Sequence, residues 1–442
     1  PLYGCTDSIA NNYDVNADTD DGSCTYQMTY VPDDNFEQAL IYLGIDDILD
    51  DSVTTSYVQN VVFLDLDYWN ISDLTGIEAF TSLTSLYCSN NNLTTLDLSG
   101  TISLEYLYCK NNNNLTILDL SGASALKYLN CGYNDSLTTL NLSGTISLLE
   151  LNCSRTNLTT LDLSGAINLQ DLDCSWTNLT TLDLSGASTL EYLSCRFNNN
   201  LTTLDLSGAI SLRTLQCEEN NLTTLDLSGA SALKYLDCSI NQLTTLDLSQ
   251  NTSLISVKCQ GNHLISLDIV SSDLTLLHCN NNQLTSLDLS QNIALNDLRS
   301  HSNNLTTLDL SYNTDLSYLQ CQNNQLINLS VTQNTSLRAL RCQNNQLVSL
   351  DLRNGNNTNI VDLRTSNNSD LLCISVDDPS WAILNWVVGQ EISAWTSFSS
   401  DCSLEIIGCT DSTSINYDSL ATLNYNCILA KTHIPDDNFE QA

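Results

Sequence analysis

One short segment constrains this chain more than any other feature. LTTLDLSGA and its close variants return from residue 93 to residue 352, nearly always at spacings of 21 or 22 residues. One round contains Leu83, Leu86, Cys88, Asn91 and Leu93, the pattern LxxLxCxxNxL, and continues through Leu96, Asp97, Leu98, Ser99 and Gly100. A unit this short cannot bury an apolar face alone; it must stack on copies of itself. It holds two extended stretches, a turn fixed by Asn and a Ser-Gly turn, with no room for a helix. The repeat therefore predicts a mainly β solenoid of about 14 coils with two parallel sheets. At about 4.8 Å per coil it would extend roughly 65–70 Å.

The same period sorts the 18 cysteines. Cys88, Cys109, Cys131, Cys153, Cys174, Cys195, Cys217, Cys238, Cys259, Cys279, Cys321 and Cys342 share one register, and Ser300 stands where a thirteenth would fall. Stacked in-register strands hold such side chains side by side, and no His or acid points inward with them. They read as small buried hydrophobes rather than as a metal or redox ladder. The other six lie outside the coils and pair by adjacency: Cys5 with Cys24, Cys373 with Cys402, and Cys409 with Cys427. Three disulfides at those places imply an oxidising compartment.

The chain carries 51 acidic and 13 basic residues, a formal net charge of −38. That excludes nucleic acid and anionic membrane surfaces as direct partners, since both demand basic patches. No apolar run is long enough to cross a bilayer, so no membrane insertion is expected. With 42% hydrophobic residues the chain still has ample material to bury. The first basic residue is Lys110, so the acidic opening needs screening by salt or a bound cation. The chain opens at Pro1, and we expect it to be an internal piece of a longer protein.

A second, longer repeat supports that expectation. GCTDSIANNYD at residue 4 returns as GCTDSTSINYD at residue 408, and VPDDNFEQA at residue 31 returns as IPDDNFEQA at residue 434. The layout that follows is an acidic Cys-bounded linker module at 1–27, an N-terminal cap with a small helix at 28–60 and the solenoid at 61–370. A C-terminal cap at 371–407 leads to a second linker module at 408–429, then to the next cap at 430–442.

The PDDNFEQALIYLGIDD start, the ISDLTGIEAF first coil and the LDLS/LxC coils resemble leucine-rich-repeat surface proteins of Bacteroidota and are similar to internalin-type repeats. The GCTD…NYD…DDGSC segment is similar to short modules of very large secreted Bacteroidota proteins, and LLCISVDDPSWAILNW resembles that group's C-terminal cap. The resemblance implies type IX export, an extracellular or cell-surface place, and roles in adhesion, gliding or capture of other cells.

Three candidate sites follow from residue chemistry. Asp14, Asn16, Asp18, Asp20 and Asp21, before Gly22, set oxygens at alternating positions as calcium loops do. Thr25 stands where an EF-hand would need Glu, so calcium here would use a shorter set. One aspartate per coil, from Asp97 and Asp119 to Asp309 and Asp351, forms an outward row that either bridges cations or bonds locally in the LDLS turn. Tyr87, Tyr106, Tyr108, Tyr128, Tyr133, Trp176, Tyr192, Phe197 and Tyr235 are expected on one exposed strand face, a contact surface for a target cell surface, protein or glycan. Arg299, Arg338, Arg341 and Arg364 follow along that face and suit self-association with the acidic start of another module.

Catalysis finds no support. His263, His278, His301 and His433 lack triad or metal-ligand companions, and no phosphate loop appears. The sequence reads as a structural and adhesive repeat module of a giant extracellular filament or appendage, with prey capture among its uses. Its partners would be further copies of the module, as a homo-oligomer. The alternative is a single-chain surface receptor that binds glycan or protein through its aromatic face.

Overall fold

The computed structural model describes residues 1–98, 100–386, 391–404, 407–408, 411–414, 419 and 423–424. The fold is mainly β, a leucine-rich-repeat solenoid of about 16 turns. It divides into two compact units, Pro1–Leu254 with Lys258–His263, and Ile255–Val257 with Leu264–Ala442.

Each coil gives one three-residue strand to the main parallel sheet. In the first unit Phe63–Asp65, Ser85–Tyr87, Tyr106–Tyr108 and Tyr128–Asn130 pair in register, and the pattern runs on to Tyr235–Asp237. In the second unit it runs from Leu276–His278 to Asp362–Arg364. The middle residue of each strand points inward: Leu86, Leu107, Leu298 and Leu319 are fully buried. The second extended stretch pairs only in patches, such as Ile117–Asp119 with Thr139–Asn141, and Asn328–Ser330 with Ser349–Asp351. The expected second sheet is thus discontinuous.

Behind each strand a buried asparagine closes the coil. The Asn241 side-chain amide donates to the carbonyls of Cys217 and Cys238, at 2.9 and 3.2 Å, while its oxygen accepts the Leu222 amide at 3.0 Å. Asn112, Asn220, Asn303, Asn324 and Asn345 repeat the arrangement between their own coils. A second asparagine row starts where SGA gives way to SQN. Asn292, Asn313 and Asn334 each donate back to a carbonyl one coil earlier, at 2.8 Å. In the SGA coils the same position is alanine, fully buried at Ala209 and Ala230, and the glycine before it is packed so closely that a Cβ on Gly208 would lie 1.9 Å from the Ser185 carbonyl oxygen.

The twelve in-register cysteines are buried free thiols. Burial pushes the thiols of Cys279 and Cys321 up to about 12, so they remain protonated and unreactive.

The ends are closed by different devices. At the start, Met28–Tyr30 pairs antiparallel with Ser52–Thr54. The helix Asp34–Tyr42 is capped by Asp33, whose other carboxylate oxygen takes the amides of Ser72 and Asp73 in the first coil. Glu37 is fully buried, and its carboxylate accepts the amides of Asp50, Asp51 and Ser52. The PDDNFEQ segment therefore fastens the cap to the solenoid. At the other end Asp378 caps the helix Pro379–Asn385, and Trp386 donates its indole N–H to the Ile360 carbonyl.

Cys5 is disulfide-bonded to Cys24, and Cys373 to Cys402. Cys409, Cys427 and residues 430–442 lie outside the described residues. Within the second linker module, Ile407–Gly408 pairs parallel with Leu423–Asn424, as Tyr3–Gly4 pairs with Thr19–Asp20 in the first.

Ser300 sits in the thiol row, fully buried, with no hydrogen-bond partner for its hydroxyl. Replacing it with cysteine removes an unsatisfied buried polar group at almost constant volume. Chemical denaturation of Ser300→Cys should show a gain of about 1–2 kcal/mol; equal or lower stability would contradict this account of the row.

Candidate functional site

The nine aromatic residues do not share one face. Tyr106, Tyr128, Tyr192 and Tyr235 hold the first position of their strands, and Tyr87 and Tyr108 the third. Tyr133, Trp176 and Phe197 lie two residues beyond the strand cysteine, in a left-handed turn with φ of 57° at each. The extra turn carries them off the strand face, which simple alternation did not anticipate.

Nor are most of them exposed. Tyr133, Trp176 and Tyr235 are about half exposed, at 48%, 45% and 46%, and the other six are half-buried. The cause is register: equivalent side chains in adjacent coils lie one rung apart and stack. Tyr87 stacks on Tyr108 with ring centroids 4.6 Å apart, and Tyr106 on Tyr128 at 4.7 Å. Trp176 stacks on Phe197 at 4.2 Å, and the Arg155 guanidinium lies over both Tyr133 and Trp176, at 5.2 and 4.9 Å. Stacked rings cover one another's faces and offer mainly edges and hydroxyls to solvent.

The main sheet also carries acids. Lys127 pairs with Glu105, Arg196 with Glu218, Arg213 with Glu191 and Lys258 with Asp237. Further along, Asp297 takes both His278 and Arg299. Asp362 takes Arg341 at 2.8 Å and Arg364 at 2.9 Å, and Arg364 also reaches Glu391. Three of the four arginines expected to meet another module are thus committed within their own sheet. Arg338 lies just before the strand Ala339–Arg341 and is exposed. Glu150, Asp171 and Asp173 form no ion pair among the described residues. They line a hollow of about 390 Å³ with Tyr108, Tyr128, Asn130, Asn152 and Tyr192.

The aspartate row resolves into local turns. Asp119, Asp162, Asp183, Asp226, Asp247, Asp288 and Asp309 each accept the amide of the serine two residues on, at 2.9 Å. These bonds hold the carboxyls below the usual aspartate value despite the like charge one coil away.

The acidic loop of the opening module is arranged similarly. Asp14 accepts the Asn16 amide, Asp18 the Leu2 amide, Asp20 the Gly22 amide and Asp21 the Ser23 amide. The oxygens have the chemistry calcium takes, but each is turned toward a different amide. Among the described residues no three His, Cys, Asp or Glu side chains gather as a metal site. No helix among them is long and apolar enough to cross a membrane.

No protein-family model matches the chain. Internalin J of Listeria monocytogenes serotype 4b (strain F2365) is 39% identical over 70 residues, which cover 16% of this chain and only 8% of that protein. The solved functional domain of InlJ from Listeria monocytogenes, which includes a cysteine ladder, superposes with a TM-score of 0.60 at 36% identity, covering 73% of this chain and 77% of that one. The internalin InlF of Listeria monocytogenes str. 4b F2365 superposes with a TM-score of 0.53 at 20% identity, covering 76% of this chain and 95% of the other, a likeness of fold alone.

A proton-linkage prediction follows from the aspartate turns. Their carboxyls bind protons less tightly when folded, so stability present above the ordinary value of 3.8 is lost as pH falls through the depressed native values. Asparagine keeps the acceptor without the charge, as Asn141 does for the Ser143 amide. Scanning calorimetry of Asp288→Asn/Asp309→Asn should show a shallower loss of melting temperature below about pH 4 than the unaltered chain; identical acid profiles would reject the assignment.

Proposed function

Because the chain belongs to the internalin-like leucine-rich-repeat family, we propose that it is an adhesive contact module of an extracellular or cell-surface protein, holding a protein partner on the outer face of its main sheet. One observation carries the reading: on that face tyrosines stand in stacked rows beside carboxylates that no basic side chain of the same sheet neutralises. Sugar-binding platforms present the flat faces of aromatic rings; here pairwise stacking covers the inner faces of Tyr87, Tyr108, Tyr106 and Tyr128, which favours protein over glycan. The two flanking disulfides suit an oxidising, extracellular setting.

Tandem assembly is the second reading. It draws on the second linker module, whose strand pair repeats the register of the first 404 residues later. Copies joined end to end would raise avidity for a surface without any new contact, and such arrays would form the filament or appendage, prey capture included. Bacteroidota origin and type IX export remain part of this proposal through the likeness of the repeats.

Beads coated with the chain should adhere to target cells. Tyr87→Ala/Tyr108→Ala beads, or cells treated with protease, should lose most of that adhesion, and glycosidase treatment should leave it. Loss after glycosidase alone would replace protein with glycan.

Calcium on Asp14, Asn16, Asp18, Asp20 and Asp21 completes the proposal. It would displace the local turns, so its affinity is expected near the millimolar range of extracellular modules. Calorimetric titration should give saturable heat that Asp18→Asn/Asp20→Asn abolishes; no heat from the unaltered chain would remove calcium from the account.

A further inference from the structure

The hollow on the main sheet departs from a rule that the rest of the sheet follows. From the third coil onward the acids at strand positions are Glu150, Asp171, Asp173, Asp237, Asp297 and Asp362. Asp237, Asp297 and Asp362 each meet a basic side chain on their own or an adjacent coil. Glu150, Asp171 and Asp173 do not, and the register sets them on neighbouring rungs: Glu150 opposite Asp171, and Asn152 opposite Asp173. Like charges opposed on adjacent strands repel; Asp173 turns one oxygen to the Ser175 amide and hydroxyl, at 3.0 and 2.6 Å, whereas Glu150 and Asp171 stand opposite one another with no basic side chain against them.

Tyrosines stand at both ends of the gap. In the first-position row the order is Tyr106, Tyr128, Glu150, Asp171, Tyr192. Tyr106 covers one face of the Tyr128 ring, with planes 5° apart. The opposite face is therefore the end of a stack and looks over the Glu150 rung. Tyr128 and Tyr192 are three rungs apart, about 14 Å. The Tyr192 hydroxyl donates to Gln216 Oε1 at 2.9 Å, away from the acids. The result is a recess with a π face at one end, a tyrosine at the other and three carboxylates between.

We propose that this recess is the docking point for an arginine- or lysine-bearing segment of a foreign partner protein. This rests on the adhesive reading above and names the chemistry of its partner. A guanidinium or ammonium group is the one common side-chain chemistry that meets both features: it pairs with carboxylates and sits over a tyrosine face. The recess is too far from neutral for an apolar insert, and a net charge of −38 disfavours a second copy of the chain as occupant. The copy's own strand-face arginines, Arg299, Arg341 and Arg364, are already paired. Of the two ends of this stack the Tyr106 end faces the Ser85 rung and only the Tyr128 end faces the carboxylates, so a single cation per module is expected to seat there.

Fluorescence anisotropy with a labelled Gly-Ser peptide carrying three arginines tests this on the whole chain. The unaltered chain should bind it, and a citrulline version, which keeps the shape but not the charge, should not bind. Glu150→Gln/Asp171→Asn should weaken binding about tenfold, whereas Asp288→Asn/Asp309→Asn, which removes equal charge elsewhere, should change it less than about twofold. Tyr128→Leu, with the acids intact, should also weaken it. Equal loss in both double variants would mean diffuse attraction to an acidic protein and would overturn the proposal. So would sedimentation showing self-association that Glu150→Gln/Asp171→Asn abolishes, because the occupant would then be a second copy. If peptide binding fails but bead adhesion still depends on the tyrosines, the adhesive reading stands and only the cationic partner falls.

Discussion

The buried asparagine amide is the constraint on which the rest of the structure depends. A coil of 21 residues must turn sharply behind each strand, and the carbonyls there cannot reach water. Asn241 answers for three backbone groups at once, accepting from Leu222 and donating to Cys217 and Cys238. Because its partners belong to two coils, the amide both closes the turn and sets the stacking register. An orphaned backbone group here would cost about 1–3 kcal/mol, so the turn cannot be closed by an apolar residue of similar size. The buried threonines Thr156 and Thr177 show the limit of variation: each hydroxyl bonds the carbonyl of the preceding cysteine, Cys153 or Cys174.

Fixed register then dictates what every other position can hold. Whatever stands in one coil meets its own equivalent one rung away. Apolar and thiol rows gain from this, since identical small side chains pack without voids. Charged rows lose, and the chain relieves them differently on its two faces. On the LDLS face most aspartates spend their charge on a serine amide, and Asp351 on the Arg353 amide and guanidinium. On the main sheet the relief comes from basic side chains: Lys127, Arg196, Arg213, Lys258, Arg299, Arg341 and Arg364 are all used there.

That division explains what could be read from the sequence. The period, the inward cysteine row, the flanking cysteine pairs at Cys5–Cys24 and Cys373–Cys402 and the mainly β coil all follow from spacing alone. The structural roles of Asp33 and the buried Glu37 were hidden in an acidic stretch that looked solvated, because composition does not reveal which carboxylate meets a backbone amide. The aromatic set was legible as residues but not as a surface. Alternation places side chains correctly only within the strand, and Tyr133, Trp176 and Phe197 are themselves the left-handed residues that break it. The pairing of the arginines went unseen because their partners are aspartates of the same sheet face: Arg299 and Arg364 meet the acid two residues back in their own strands, and Arg341 meets Asp362 one rung on. The second asparagine row had a visible signal in the change from SGA to SQN.

The turn row shows how such rows come to differ from the asparagines that suit them. Asn90, Asn111, Asn323 and Asn344 occupy the left-handed position with φ of 56–59°, where asparagine is well tolerated. Tyr133, Arg155, Trp176, Phe197 and Ile240 hold the same conformation with φ of 52–57°, at a backbone cost of roughly 1–2 kcal/mol each. Four of the five sit on consecutive coils and touch, ring on guanidinium and ring on ring. A lone bulky residue in that turn would bear the strain unaided, whereas a run of them recovers part of it through contacts that only the stacked register allows. Side chains on such a solenoid act as rows, and a run that departs from the cheap residue over several coils is where the surface has been given a shape of its own.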